Sequence, residues 1–360
     1  MLAALAAFVL PRPKREPPVR PSGQPAPFGE TRSTDEPYSL QQARARQPGR
    51  GREAVKPTQI PWQGWKDIFW RVYDEIGKDR VTSVAAGVAF FALLAMFPAI
   101  TAFVSSYGLF ASLSTINDHI AALGGLLPGG ALEIIEDQIN RIVAKGDVKL
   151  TFGFLFGLGL ALWSANAGMK AIIDAHNVIY EEDEKRSFIK LNLVSLTLTA
   201  GAIMALLLAV GAVVVLPLML GWLGLSSLTG TIVTVLRWPA LLLFVITGLA
   251  VLYRYGPSRA KPRWEWLSVG TIFAAVTWLV VSGLFSWYLS NFANYDATYG
   301  SLGAVIGLMM WLWLSSIVIL VGAEINAEME HQTASDTTMA KQPLGRRGAA
   351  MADTVGEARS

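Results

Sequence analysis

The sequence predicts an all-α fold: a polytopic integral membrane helix bundle of about six transmembrane helices, with amphipathic interfacial helices and both termini cytoplasmic. Three observations predict it. First, 52% of the 360 residues are apolar and only 16% are charged, with a mean hydropathy of +0.41; a soluble domain carries roughly 25% charged residues. Second, the charge-free runs are long: the longest, from Leu191 to Leu236, holds one span, a turn and the start of another. A bilayer core of about 30 Å needs about 20 helical residues. Third, these runs lack the two-residue alternation of a barrel strand, and only helices or closed barrels satisfy their backbone polar groups in lipid.

Residues 1–60 carry ten of the 18 prolines, with ten Lys and Arg against five Asp and Glu. Such a segment buries too little apolar surface to offset its ordering entropy, and it reads as a disordered Pro/Arg-rich cytoplasmic tail. Its first ten residues, MLAALAAFVL, have no basic residue before them and PRPKRE after them. They read as a loose apolar tip or an upstream start, not as a secretory signal. Residues 331–360 read as a second disordered cytoplasmic tail. The basic balance of the chain, formally +3, therefore sits in a tail and does not indicate a nucleic-acid-binding domain.

The transmembrane domain is assigned to residues 61–330, with spans near 83–110, 150–169, 191–217, 231–253, 267–290 and 301–323. Ahead of span 1, Trp62, Trp65, Phe69, Val72 and Ile76 recur at helical spacing. This predicts an amphipathic helix on the inner membrane surface or packed beneath the bundle. Leu132, Ile135, Ile139 and Ile142 predict another in the first outer loop. Span 4 has two candidate starts. If it begins near Thr231, Arg237 lies about 9 Å along the helix and either snorkels to the surface or stands as a buried cation. If Pro239 occupies the first turn, the span is barely long enough. Twelve cations flank spans on one side, from Lys66 to Arg80, Lys170 to Lys190 and Arg254 to Arg263, against Arg141, Lys145 and Lys149 on the other. The excess places both termini in the cytoplasm.

Gly153 and Gly157 in span 2, and Gly303 and Gly307 in span 6, are small residues four apart that let helix backbones approach closely. Pro98 removes one backbone bond midway through span 1 and predicts a kink, a feature shared by inert bundles and gates. Polar groups at membrane depth are costly and point to function. Asn166, Arg254, Asn294, Tyr299 and Glu324 form the candidate polar pathway on this ground. Glu324 reads either as an interfacial carboxylate closing span 6 or as one facing a water-filled cavity, proton-coupled or paired to Arg254.

No catalytic constellation is expected. Cysteine is absent and there are three histidines, His119, His176 and His331, far apart in sequence. Thiol chemistry is excluded, and no metal or cofactor is predicted. The acidic run Glu181–Glu184 points in several directions and reads as a solvated loop. No nucleophile elbow, Walker sequence or dinucleotide-binding turn occurs. The chain is expected not to be an enzyme and not to bind nucleic acid; membrane lipids, and a lipid or small-solute substrate, are the expected partners.

Several motifs in order resemble the YihY/BrkB family of bacterial inner-membrane proteins, once misassigned as ribonuclease BN. They are VAAGVAFFALLAMFP (84–98), WSANAGMKAIIDAHNVIYE (163–181), LYRYGP (252–257), YDATYGSLGAVIGLMMWLWL (295–314) and GAEINAE (322–328). Family members often carry Tyr where Phe90 or Phe91 stands here. The resemblance implies an inner-membrane helical protein with about six spans, a link to serum resistance and virulence, and movement of lipids or solutes; it carries over no catalytic residue. Three readings follow. The preferred one is a transporter or exporter of a lipidic or small solute, working through spans 1, 2, 5 and 6, with Asn166, Tyr299 and Glu324 on one cavity. The others are a non-transporting envelope scaffold or virulence-type factor, and a membrane-bound ribonuclease, which is disfavoured.

Overall fold

The structure is a computed structural model that describes residues 43–107, 152–222, 226–292, 302–339 and 355–358, all within one unit, Ser33–Ser360. Asn294, Tyr299, the outer-loop helix expected at Leu132–Ile142 and most of both expected tails lie outside the described residues. Seven long helices follow a short 3-10 turn at Pro57–Gln59: α1 (Trp62–Lys78), α2 (Val81–Tyr107), α3 (Phe152–Ile179), α4 (Phe188–Trp222), α5 (Ser226–Tyr255), α6 (Trp264–Phe292) and α7 (Leu302–Gln332). Among the described residues the fold is all-helical, and extended pairing is confined to one isolated bridge between Pro262 and Thr338.

Among the described residues, four helical stretches are long and apolar enough to cross a membrane: Val81–Ile100, Phe188–Leu208, Trp264–Leu289 and Val305–Gln332. Leu242–Tyr255 is a shorter apolar helix. The uncertain start near span 4 is resolved by α5, which begins at Ser226 and carries both Arg237 and Pro239 inside it. The link before it is shorter than expected, because α4 runs on to Trp222.

The bundle is built around α7, which packs against α6, α2, α1 and α3, while α2 pairs extensively with α3. Its interior uses small residues: Ala85, Ala165, Ala175, Ala274, Ala275, Ala323 and Ala327 are buried. Leu193, Leu208, Val280, Leu284 and Trp287 are exposed on the outside. Lipid tails are as apolar as leucine, so a bundle in lipid has no reason to hide its large side chains and gains by close backbone approach. The tightest approach is between α6 and α7. A Cβ added at Gly270 would lie 2.0 Å from the carbonyl oxygen of Gly322, so neither position admits a side chain without separating the helices.

Hydrogen bonds reinforce these contacts. The indole of Trp278 donates to Ser315 Oγ at 3.0 Å, that of Trp311 to Ser282 Oγ at 3.1 Å, and that of Trp313 to the Thr82 carbonyl at 2.9 Å. Each anchors an amphipathic ring between two helices.

Helix α1 presents only part of its stripe to the protein: Trp65, Val72 and Ile76 pack against the core. It buries Gly64, Asp67, Ile68, Arg71 and Val72, while Trp62 and Phe69 are 80% and 65% exposed. The expected apolar face is therefore split. Val72 turns inward with a polar pair, because α7 offers Glu328 and Gln332 there, and the aromatic side faces outward. Two residues, Asp79 and Arg80, turn the chain from α1 into α2, with Arg80 in the left-handed region at φ 51°.

Composition placed residues 43–60 and 333–339 in the tails, yet they pack against this end of the bundle. Arg52, Ala54 and Ile60 are buried, as are Thr333, Thr337 and Thr338. The Arg52 guanidinium donates to the carbonyls of Gln332 at 3.2 Å and Gly356 at 2.7 Å. Burial, with Arg71 nearby, holds its pKa down to about 10. A short ordered clasp is lost when composition is averaged over a long Pro-rich segment.

Candidate functional site

The C-terminal ends of α1, α3, α5 and α7 converge on a polar region of unusual burial. Helix α7 supplies Glu324, Asn326, Glu328, Glu330 and His331, all at or below 5% exposure. Positions 324 and 328 share one helical face and 326 and 330 another, since residues four apart lie one above the other.

Three of the surrounding carboxylates are fully engaged. The Arg71 guanidinium pairs with Glu328 Oε2 and also donates to the Glu328 carbonyl at 3.0 Å. Arg259, in the link between α5 and α6, donates to both oxygens of Glu330 at 2.8 and 2.9 Å, with both side chains fully buried. Its guanidinium also lies 3.9 Å over the Tyr180 ring, and Thr337 Oγ1 donates to Glu330 at 2.7 Å. Arg50 donates to both oxygens of Asp67 at 2.6 and 2.7 Å. Buried charges are retained only when matched in this way.

Glu324 is the exception. Its side chain is 0% exposed and neither carboxylate oxygen has a hydrogen-bond partner. The charged groups closest to it electrostatically are carboxylates: Asp79 and Glu75 at the end of α1, Glu328 on its own helix and Glu181 just past α3. Close by, His176 Nε2 is also buried without a partner, and the Tyr180 hydroxyl lies beside the side-chain amide of Asn326. Tyr180 lies within electrostatic range of Glu324, Glu330 and Arg259, and the His176 ring is 5.5 Å from that of Tyr253. Tyr253 donates to the Ile319 carbonyl at 2.7 Å, and Asn326 Oδ1 accepts from the Gly270 amide at 2.9 Å.

Asp79, outside the spans, is pushed up to about 8 by burial and then by Glu75, Glu181 and Glu328. Glu75 is pushed up by burial too, against the pull of Lys78, whose ammonium is 2.5 Å away.

Of the residues singled out from sequence, Glu324 and Asn166 are both buried polar groups with orphaned atoms. Asn166 sits on α3 with Nδ2 unpartnered, and Oδ1 accepts from Thr199 of α4 at 3.5 Å. Arg254 is buried as well, but it does not reach Glu324. It donates to the Pro262 carbonyl at 2.5 Å and Met339 Sδ at 2.9 Å, and stacks 4.3 Å from the Trp264 ring. The last turn of α5 thus uses its cation to fasten the following link.

Gly303 and Gly307 are buried on α7, where a Cβ at Gly307 would meet only Leu289, at 3.9 Å. Gly153 and Gly157 lie in α3 and Pro98 lies inside α2. Among the glycines whose surroundings are described, close approaches between long helices fall at Gly270, at Gly322 and at Gly168, where a Cβ would be 2.9 Å from Ala95 Cβ. Sequence reasoning passed over His176, Tyr180, Arg71 and Arg259. Their spacing held a signal: His176 and Tyr180 are four apart on a helix, as are Glu324 and Glu328, so each pair marks a polar face pointing inward.

Comparisons with known proteins agree with the architecture. The family model described as Virulence factor BrkB matches residues 72–344. The ribonuclease-like protein YfkH of Bacillus subtilis is 36% identical over 266 residues, 73% of this chain and 93% of that protein. The UPF0761 membrane protein NMB0524 of Neisseria meningitidis serogroup B is 27% identical over 282 residues, 73% of this chain and 63% of that protein. The chain thus spans less than two thirds of that relative's length. The UPF0761 membrane protein PBPRA3489 of Photobacterium profundum is 28% identical over 261 residues, 71% of this chain and 78% of that protein. No solved structure matches the chain. With four of its described helices long and apolar enough to cross a membrane, and the family model matched over residues 72–344, the chain belongs to the Virulence factor BrkB family of membrane proteins.

Proposed function

We propose that this protein is a multi-pass transporter or exporter of a lipidic or small solute in the bacterial inner membrane, with six spans and both termini cytoplasmic. The observation that carries the reading is the set of orphaned polar atoms inside an apolar bundle: Asn166 Nδ2 on α3 and both oxygens of Glu324 on α7. Polar groups at membrane depth are expensive, and a purely structural bundle satisfies or discards them. An interior that alternately admits solute and water supplies partners that a static fold does not. The charge-free runs support six spans, and the excess of flanking cations on one side supports cytoplasmic ends.

A second reading, a non-transporting envelope scaffold, draws on α1. Its exposed Trp62, Phe69, Trp70 and Tyr73 form an aromatic surface on which a partner or the lipid interface can sit. A ribonuclease reading requires acids or histidines converging on metal ions, and no such group of three occurs among the described residues. The lack of cysteine and of any catalytic motif in the sequence supports our reading of the protein as a non-enzyme.

The test is purification in native lipid, followed by mass spectrometry of bound amphiphiles and a high-resolution structure of the particle. The transport reading expects a polar cavity touching Asn166 and Glu324 with a defined amphiphile bound. A tightly packed interior with no specific ligand would support the scaffold instead.

A further inference from the structure

The orphaned carboxylate of Glu324 has a specific chemical consequence. An ionised carboxylate is stable in a protein interior when donors or cations surround it, and here the facing groups are of the wrong kind. Asp79 and Glu75 approach from α1, Glu181 from the end of α3 and Glu328 from one turn along α7. The basic groups of the region are committed elsewhere: Arg71 to Glu328, Arg259 to Glu330, and Lys78 to Glu75. His176 and Tyr180 face the region from α3, and Tyr253, from α5, donates to a main-chain carbonyl. Helix α2 supplies no titratable side chain between Val81 and Ile100. Helix α6 contributes Trp266, whose indole nitrogen is itself unpartnered, and its Glu265 turns outward to Lys56.

Two ligands neutralise such a group: a metal cation or a proton. A metal cation needs several oxygen ligands at once. Among the described residues no three Asp, Glu or His side chains converge closely enough to hold one. The carboxylates are instead graded in exposure, from fully buried Glu324 to half-buried Glu75, Asp79 and Glu181 at the corner between α1 and α2. That gradation suits a proton, which needs one carboxylate at a time and passes between them through water.

We propose that Glu324 is a proton-binding site that exchanges with bulk water through the carboxylates of Asp79, Glu75 and Glu181. The step is balanced: the carboxylate takes one proton from hydronium or from a neighbouring carboxylic acid, becomes neutral in the closed bundle, and returns it when the interior hydrates. The use of that proton, to couple solute movement to the proton gradient, rests on the transport reading above. Proton binding itself does not. Asp79, pushed up to about 8 by burial and its acidic neighbours, is suited to relay protons near neutral pH.

Infrared difference spectroscopy of the full-length protein in phosphatidylethanolamine–phosphatidylglycerol vesicles tests this, with titration from about pH 5 to about pH 9. At neutral pH the carboxylic-acid carbonyl absorption, to which Asp79 also contributes, is expected to contain a band that is sensitive to heavy water, absent in Glu324→Gln and shifted in frequency in Glu324→Asp. The proposal is overturned by carbonyl absorption that is identical in the wild type and Glu324→Gln across the range, or by a Glu324 band that sodium removes at constant pH. If Glu324→Gln does not fold, the wild-type titration and Glu324→Asp still decide. Translocation of a fluorescent phosphatidylethanolamine analogue in the same vesicles separates the two ideas. A band without gradient-driven translocation upholds the proton site and counts against transport. Translocation indifferent to the gradient, with no band, upholds transport and removes the proton site.

Discussion

One helical turn separates Glu324 from Glu328 on α7, and the two carboxylates have opposite surroundings. Glu328 is held by the Arg71 guanidinium and lies 3.6 Å from His331. Glu324 has no partner for either oxygen and faces further acids. The same residue type at the same depth therefore does two jobs. The turn at Glu328 ties α1 to α7 at the C-terminal ends of the two helices. The turn at Glu324 holds an unpartnered carboxyl group that stability alone does not explain. Burial by itself does not mark a functional carboxylate; the absence of a partner does.

Substitutions can break this comparison from either side. The largest effect is expected where a pair is split. Arg71→Ala leaves Glu328 buried and uncompensated, and removal of one partner of a buried ion pair costs about 3–5 kcal/mol. Thermal melting in detergent or nanodiscs reads the loss. Arg259→Ala, which strands Glu330, is expected to fall in the same range, and melting at the wild-type temperature would show that these pairs are not structural.

A smaller loss is expected where α6 crosses α7. Gly270→Ala forces a methyl group against the Gly322 carbonyl, and overpacking of this kind costs about 1–3 kcal/mol. Gly307→Ala has room, with Leu289 at ordinary contact distance, and is expected to melt close to the wild type. Equal losses at the two glycines would contradict the placement of the tight crossing.

Next comes pH. Asp79 is raised to about 8 in the folded protein from an ordinary value of 3.8. Between those values the unfolded chain has released this proton and the folded protein keeps it. Stability from this group is therefore fully present below about pH 4 and declines as pH rises to about 8, where the decline levels off. Asp79→Asn is expected to flatten that part of the melting-versus-pH curve. A curve with the same slope in both proteins would remove Asp79 from the account.

The smallest effect on stability is expected at Glu324 itself. Glu324→Gln replaces a buried carboxyl group that has no partner to lose, without opening a cavity, so its melting temperature is expected to equal or exceed that of the wild type.

The fold class was legible because bilayer thickness imposes a single length on every span, and charge-free runs of that length are visible without any structure. Helix ends were less legible: α5 begins at Ser226 and carries Arg237 and Pro239 in its interior, so neither residue marks its start. The sequence left open whether the stripe of α1 meets the membrane surface or the bundle, and the structure divides it between the two sides of the helix. Periodicity finds an apolar stripe but does not say whether protein or lipid lies against it, and here Asp67 and Arg71 point inward while Trp62 and Phe69 point outward. Glu324 and Asn166 were found because polar residues within apolar runs stand out. Arg71, Tyr180 and Arg259 were not, because each lies beyond the runs and is brought to α7 only by the turns at Asp79–Arg80, Glu181 and Gly256–Arg263. Close packing at Gly270 and Gly322 joins two helices, so no spacing within either helix announces it.

The most direct test of the division between the two turns of α7 is side-by-side thermal melting of Glu324→Gln and Glu328→Gln in the same lipid nanodiscs. The account predicts that Glu328→Gln melts well below the wild type while Glu324→Gln melts at or above it. Equal destabilisation of the two would contradict it, because Glu324 would then be a structural carboxylate like its neighbour.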